Sequence, residues 1–271
     1  MLSSRKEQIV KYKEIILRME DGIATLTLNR PEKKNALSYR ICDEICDAVD
    51  EVANNDEARV LVLTGAGSAF SAGGDLETHP ATTAKDRETR IKHLRHSVQV
   101  ASKLRSLEIP LIGSINGPAL GAGCDIACAC DIRIASEKAT FGEIFIKVGF
   151  VPDFGGAYFL PRLVGMAKTC ELIFTGDPID AYEAERIGLA NKVVPHDRLE
   201  DVTMELASKL AAYSPFAMKK AKAAIYRAFS TDLDSELAAG AEAQALCLET
   251  DYAQEKLKKF VNKRRSTSKG E

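Results

Sequence analysis

The apolar positions along the chain switch between two periods. In 14–19 and 23–29 they alternate, with Ile15, Leu17 and Met19 on one face of the first run, which is the period of a strand with one buried side. Glu20-Asp21-Gly22 separates the two runs, so the pair predicts a β-hairpin, ended by Arg30-Pro31. After the loop 33–38, with Ser38 at an N-cap position, Ile41, Ile45, Val49 and Val52 recur at helical spacing. Residues 59–64 form a β-branched apolar run that fits a buried parallel strand. Residues 78–86 are polar and predict a flexible loop, and 87–107 predict one long amphipathic helix. Strands are expected over 110–115, 131–135 and 191–194. Helices are expected from 126 to 130, from 156 to about 163, over 168–174 and over 181–187.

From His196 only helical patterns remain, over 199–212, 215–228, 233–248 and 252–263, before a polar tail 264–271 that is expected to fray. Strands and helices alternate first and helices alone follow, so the pattern predicts an α/β core over 1–195 and a helical region over 196–271.

The chain has 271 residues, 45% of them hydrophobic, enough to bury a sizeable core. A net charge of -2 gives no pull toward nucleic acid. The apolar runs are short and broken, so no membrane span is expected, and the first residues lack the apolar core of a signal peptide. Seven cysteines without Cys-x-x-Cys spacing read as reduced thiols of a cytoplasmic protein, with Cys124, Cys128 and Cys130 on an apolar helix. The four histidines do not cluster with cysteine at ligand spacing, so no metal is expected; His93 and His96 read as a solvated helix face.

Candidate chemistry lies in three Gly-rich turns, the first two after strands and the third opening a helix. The first is Gly65 to Leu76, the second Asn116 to Asp125, the third Val148 to Gly156. Glycine and alanine let a ligand approach the backbone closely. A strand-to-helix turn leaves unpaired N–H groups at the positive end of the helix dipole, suited to a bound or developing anion. The second turn can therefore supply an oxyanion donor at or near Ala122 with Asp125 as a proton-transfer group. It can equally be a tight packing turn in which Asp125 complements the dipole. There is no Walker-type phosphate loop, no Ser-His-Asp arrangement and no dinucleotide fingerprint.

These turns, in this order, resemble the enoyl-CoA hydratase/isomerase, or crotonase, superfamily. The resemblance runs through Asn29-Arg30-Pro31, Asn35-Ala36-Leu37, Phe70 to Leu76, Asn116 to Gly123, Asp131-Ile132-Arg133, Phe141-Gly142, Gly155-Gly156, Leu160-Pro161-Arg162 and Phe174-Thr175-Gly176, nearly the whole chain. It implies an α/β spiral of ββα units, C-terminal helices that drive assembly into a trimer or a dimer of trimers, and a coenzyme A thioester as substrate rather than a separate cofactor. It also implies an oxyanion hole made by the backbone N–H groups of Gly74 and Ala122, which would hold the thioester enolate. Lys34, Ala36, Ala72, Asp75, Leu76 and Phe145 would line the substrate path. Phe260 and Lys263 would reach a neighbouring subunit's CoA, although packing and a solvated charge would equally account for them.

Hydration of an enoyl thioester involves two carboxylates handling one water. Of the two glutamate positions of the family's hydratases, Asp125 occupies the first and Phe145 the second. Glu143 stands two places before the second and is expected to point elsewhere. Asp153 lies where double-bond isomerases of the family carry an acid, though Asp is also a favoured N-cap residue. An apolar surround of Phe145, Phe150 and Phe154 would raise its pKa toward neutrality. The resemblance thus favours isomerisation of an enoyl- or dienoyl-CoA by Asp125 and Asp153. Hydration of an enoyl-CoA, branched or cyclic included, is the alternative, and a non-catalytic acyl-CoA-binding protein a further one.

Overall fold

The computed structural model describes residues 8–267, with side chains for 12–260. Its first sheet has seven strands in the order β1-β2-β3-β4-β5-β7-β10, namely Gln8–Lys11, Ile15–Glu20, Ile23–Leu28, Val60–Gly65, Leu111–Ile115, Ile132–Ser136 and Lys192–Val194. The first three are antiparallel and the rest parallel. The expected hairpin is β2–β3, closed by Asp21 and Gly22 at φ 51° and 79°. Two positive φ values in succession suit the twist of a tight hairpin.

Strand β4 is buried on both faces. Leu61 and Leu63 join a large cluster with Leu17, Leu26 and residues of the helices on that side. Val60 and Val62 join a second cluster with Ile112, Ile134, Leu199 and Ala207. This is why the run carries no alternation. The larger cluster includes the apolar stripe of helix α1 (Tyr39–Ala53), where Ser38 Oγ accepts the Ile41 N–H at 3.0 Å as the expected N-cap. Full burial of Phe70 and Phe141 contributes about 1.5–3 kcal/mol each to the same cluster.

Two expectations change. The polar loop 78–86 contains a short helix, α2 (Pro80–Thr83), because His79 accepts the Ala81 N–H at 3.2 Å and Pro80 sits at its first position. The long helix is two, α3 (Arg87–Ser97) and α4 (Gln99–Ser106), broken at Val98. His93 and His96 are not simply solvated: His96 stacks on Tyr39 at 4.4 Å and bonds Asp43, and His93 meets the Tyr39 ring edge-on.

A second sheet is made of strands too short to register as a period: β6 (Ala119–Leu120), β8 (Thr140–Gly142) and β9 (Ile179–Asp180). Helix α5 (Ala122–Ala129) follows β6 and is entirely buried, starting four residues before the apolar run suggested. Helix α6 (Gly156–Thr175) bends at Gly165, φ 78°, which separates the two helices expected there. Helices α7 (Ala181–Arg186), α8 (Leu199–Ala211), α9 (Pro215–Arg227), α10 (Leu233–Leu248) and α11 (Asp251–Thr267) complete the chain. Helix α9 is tied to the core by Lys222, whose Nζ donates to Asp131 Oδ2 at 2.6 Å and to the Ile109 carbonyl at 2.9 Å. Beyond it, α10 buries no residue. Among the described residues no helix is long and apolar enough to cross a membrane.

Candidate active site

The first two Gly-rich turns are stitched side by side by backbone bonds. Ser71 N–H donates to the Pro118 carbonyl and Leu120 N–H to the Ser71 carbonyl, both at 3.0 Å. Gly73 can take φ 97° because it has no side chain; a methyl there would stand 2.7 Å from the Leu120 oxygen. Gly121 takes φ 51° and ψ -125°, again glycine territory, and turns the chain into α5.

This arrangement frees two N–H groups. Ala122 is the first residue of α5, so its N–H has no partner within the helix. On the other turn, Leu37 N–H donates to the Gly73 carbonyl and Asp75 N–H to the Leu37 carbonyl. That pattern passes over the N–H of Gly74, and a methyl on Gly74 would meet nothing within 4 Å. Both residues line a cavity of about 720 Å³. The expected oxyanion donors are thus on the wall of one cavity, at the positive end of a buried helix.

Ala72, Asp75, Leu76, Phe145 and Asp153 line the same cavity, as do Phe150 and Phe154. Lys34 and Ala36 are not among the lining residues but are bonded to them or to their partners through the backbone. The Lys34 carbonyl accepts the Ala72 N–H at 2.9 Å and the Ala36 carbonyl accepts from Arg30 at 2.7 Å. Phe260 is exposed on α11, away from the cavity lining, and the side chain of Lys263 lies outside the described residues.

Among the described residues two carboxylates line the cavity, Asp75 and Asp153. Asp75 is engaged: it accepts from Arg30 at 2.9 Å and from the Thr78 N–H at 3.1 Å. Burial would raise its pKa, but these bonds hold it below the ordinary value. Asp153, itself exposed, is held above its ordinary value by partial desolvation against the apolar wall.

The structure does not place Asp125 on the cavity wall with Asp153. Asp125 is 0% exposed, and its Oδ2 accepts the Phe154 N–H at 3.0 Å. It faces Glu143, which does point away from the cavity, as expected, but into this buried spot. A methyl on Gly156 would overlap Asp125 Oδ1 and stand 3.0 Å from Glu143 Oε2. Burial first, then the neighbouring carboxyl, pushes the Asp125 pKa up.

Sequence reasoning missed His79, which lines the cavity and lies 2.8 Å from Ser97 Oγ. Burial lowers its pKa, so the neutral ring is favoured. Its signal was the His-Pro pair at a helix start, hidden inside a polar stretch.

The sequence pattern of the enoyl-CoA hydratase/isomerase family matches residues 18–271. A short-chain-enoyl-CoA hydratase of Clostridium acetobutylicum is 40% identical, covering 94% of this chain and 97% of its own. A crotonyl-CoA hydratase of Syntrophomonas wolfei is 36% identical with the same coverage, 94% and 97%. The crystal structure of an enoyl-CoA hydratase from Mycobacterium smegmatis superposes with a TM-score of 0.87 at 32% identity, covering 93% of this chain and 97% of that one. The crotonase fold is shared.

Proposed function

The chain belongs to the enoyl-CoA hydratase/isomerase family, and from that premise we propose that it shifts the double bond of an enoyl-CoA thioester, with Asp153 as the proton-transfer group. The observation that carries this reading is one cavity lined by Gly74, Ala122 and Asp153, whose other carboxylate, Asp75, is taken up by Arg30 and Thr78. Phe145 stands where a second acid would be needed for water.

The chemistry balances without a co-reactant. The Asp153 carboxylate removes a proton from the α carbon of a 3-enoyl thioester. The negative charge moves to the thioester oxygen, where two backbone N–H groups stabilise it. The resulting carboxylic acid returns the proton to the γ carbon, giving the conjugated 2-enoyl thioester. An apolar wall that raises the Asp153 pKa brings its basicity closer to that of the carbon acid.

A second reading, hydration of a 2-enoyl-CoA, is supported better than isomerisation by the names of most of the relatives, the two given above included, which are hydratases. It adds water across the double bond, hydroxyl to the β carbon and proton to the α carbon, and would need Asp153 to serve a water that no second wall carboxylate orients. Incubation with a 3-enoyl-CoA and, separately, a 2-enoyl-CoA distinguishes them by mass. An unchanged mass with new conjugated absorbance supports isomerisation, and a gain of water supports hydration. Absence of both reactions, with CoA esters still bound, would leave a binding protein.

Self-association accompanies this reading. Phe229, Leu233 and Leu237 are 56%, 72% and 62% exposed beyond the end of α9, and large apolar side chains left exposed near one another along a chain suit an interaction surface. Sedimentation equilibrium is expected to give three or six chains; a monomer would contradict it.

A further inference from the structure

Three carboxyl oxygens are removed from water without a donor. Asp125 and Glu143 are 0% and 1% exposed. Among the described residues, no donor meets Asp125 Oδ1 or either Glu143 oxygen at hydrogen-bond geometry, although the Gly156 N–H and the Cys124 thiol lie near enough to favour the charged forms. Buried polar atoms are nearly always paired, and a charged one left unpaired is among the costliest features a core can hold. The two side chains converge under the first residue of α6, in space that exists because residue 156 is glycine.

Two adjoining carboxyl groups in such a place do not both ionise. A single proton between them supplies the donor that is otherwise missing. The titratable groups facing the pair are Cys124 and Cys128 from α5 and Asp153 from the turn, none of them a cation. Burial pushes Glu143 up to about 8, and Asp125 is raised by burial and by Glu143.

The pair also holds something. Helix α6 has Gly155 at its N-cap, with no side chain to cap it. Asp125 instead fixes the approach to that helix by accepting the Phe154 N–H, one residue before the N-cap and one after Asp153. We propose that Asp125 and Glu143 hold one proton between them, and that this pair anchors the 151–156 turn and so positions Asp153 at the cavity wall. The positioning role rests on the reading of Asp153 given above; the shared proton and the anchor do not.

The test therefore begins on the free protein. Infrared spectra at neutral pH are expected to show a protonated carboxylic acid band that disappears in Glu143→Gln, where an amide donates instead, and survives in Asp153→Asn. Hydrogen exchange at the Phe154 amide is expected to stay slow in Glu143→Gln and to quicken roughly tenfold or more in Asp125→Ala. Should Asp125→Ala fail to fold, Glu143→Gln carries the test through turnover. The wild-type kcat is expected to decline above about pH 8 as the shared proton leaves, and the variant to lose that decline. No band, a band that persists in Glu143→Gln, or Phe154 exchange indifferent to Asp125 would overturn the proposal. Expected spectra and exchange, combined with full turnover by Asp153→Asn, would leave the anchor standing and remove only the proton-transfer reading.

Discussion

The two walls of the cavity are built in opposite ways. The wall of residues 71–75 and 117–122 acts through its backbone. Its turns are cross-bonded at 3.0 Å, Gly121 N–H donates to the Gly142 carbonyl at 2.7 Å, and Ala122 is 2% exposed. The wall of residues 144–154 acts through side chains, and Val148, Phe150 and Val151 are 56%, 48% and 70% exposed. A thioester oxygen needs the same two donors whatever reaction follows, so that half can be fixed rigidly in the main chain. On the reading proposed above, the proton-handling half differs with the reaction, and a phenylalanine and an aspartate on a more exposed segment would define it here. The exposed wall is nonetheless pinned at one point, where Asp125, rooted in the buried helix, bonds the residue after Asp153.

The comparison can be broken from either side. The largest loss is expected at the side-chain wall: Asp153→Asn lowers kcat by about 10²–10⁴-fold, the usual worth of general acid–base catalysis. At the backbone wall, Gly121→Ala meets no side chain closer than 3.6 Å but forces a non-glycine residue to φ 51°, ψ -125°. Displacement of the Ala122 N–H is expected to cost up to about 10²–10³-fold in kcat, measured with folding checked by circular dichroism. At the pin, Gly156→Ala drives a methyl into Asp125 and Glu143. Overpacking of this kind is expected to lower the unfolding free energy by about 1–3 kcal/mol in urea titration.

The same pin gives a pH signature. Glu143 ionises near its ordinary value when unfolded but keeps its proton to about pH 8 when folded. The folded state thus binds the extra proton between those values, and stability is present in full below the ordinary carboxylate range. It falls as pH rises toward 8 and levels off above, which thermal melts across that range can follow. Glu143→Gln should flatten the slope. The smallest effect lies away from both walls: Ser38→Ala removes the α1 cap and should cost about 1 kcal/mol without changing turnover.

Much of this was legible in the chain. Alternation over 15–28 encodes the hairpin, Ser38 with Ile41, Ile45, Val49 and Val52 encodes α1, and the glycines of 73–74 and 121 mark the backbone wall. What periodicity cannot report is short or through-space. Strands of two or three residues such as β6 and β9 have no period to detect. Helix α2 depends on the ring of His79 bonding a backbone N–H inside a polar stretch. Whether Asp125 pairs with Asp153 or with Glu143 depends on the path of β8 and the start of α6, which bring Glu143 and Gly156 against the same side chain. Spacing along the sequence carries no such information.

The most direct test of the account compares turnover of a 3-enoyl-CoA by Asp153→Asn and by Asp125→Asn. The asparagine at 125 can still accept the Phe154 N–H and donate to Glu143. The account predicts that conversion to a conjugated product of unchanged mass collapses in Asp153→Asn and falls far less in Asp125→Asn. An active Asp153→Asn beside an inactive Asp125→Asn would contradict it, returning the proton chemistry to the buried helix.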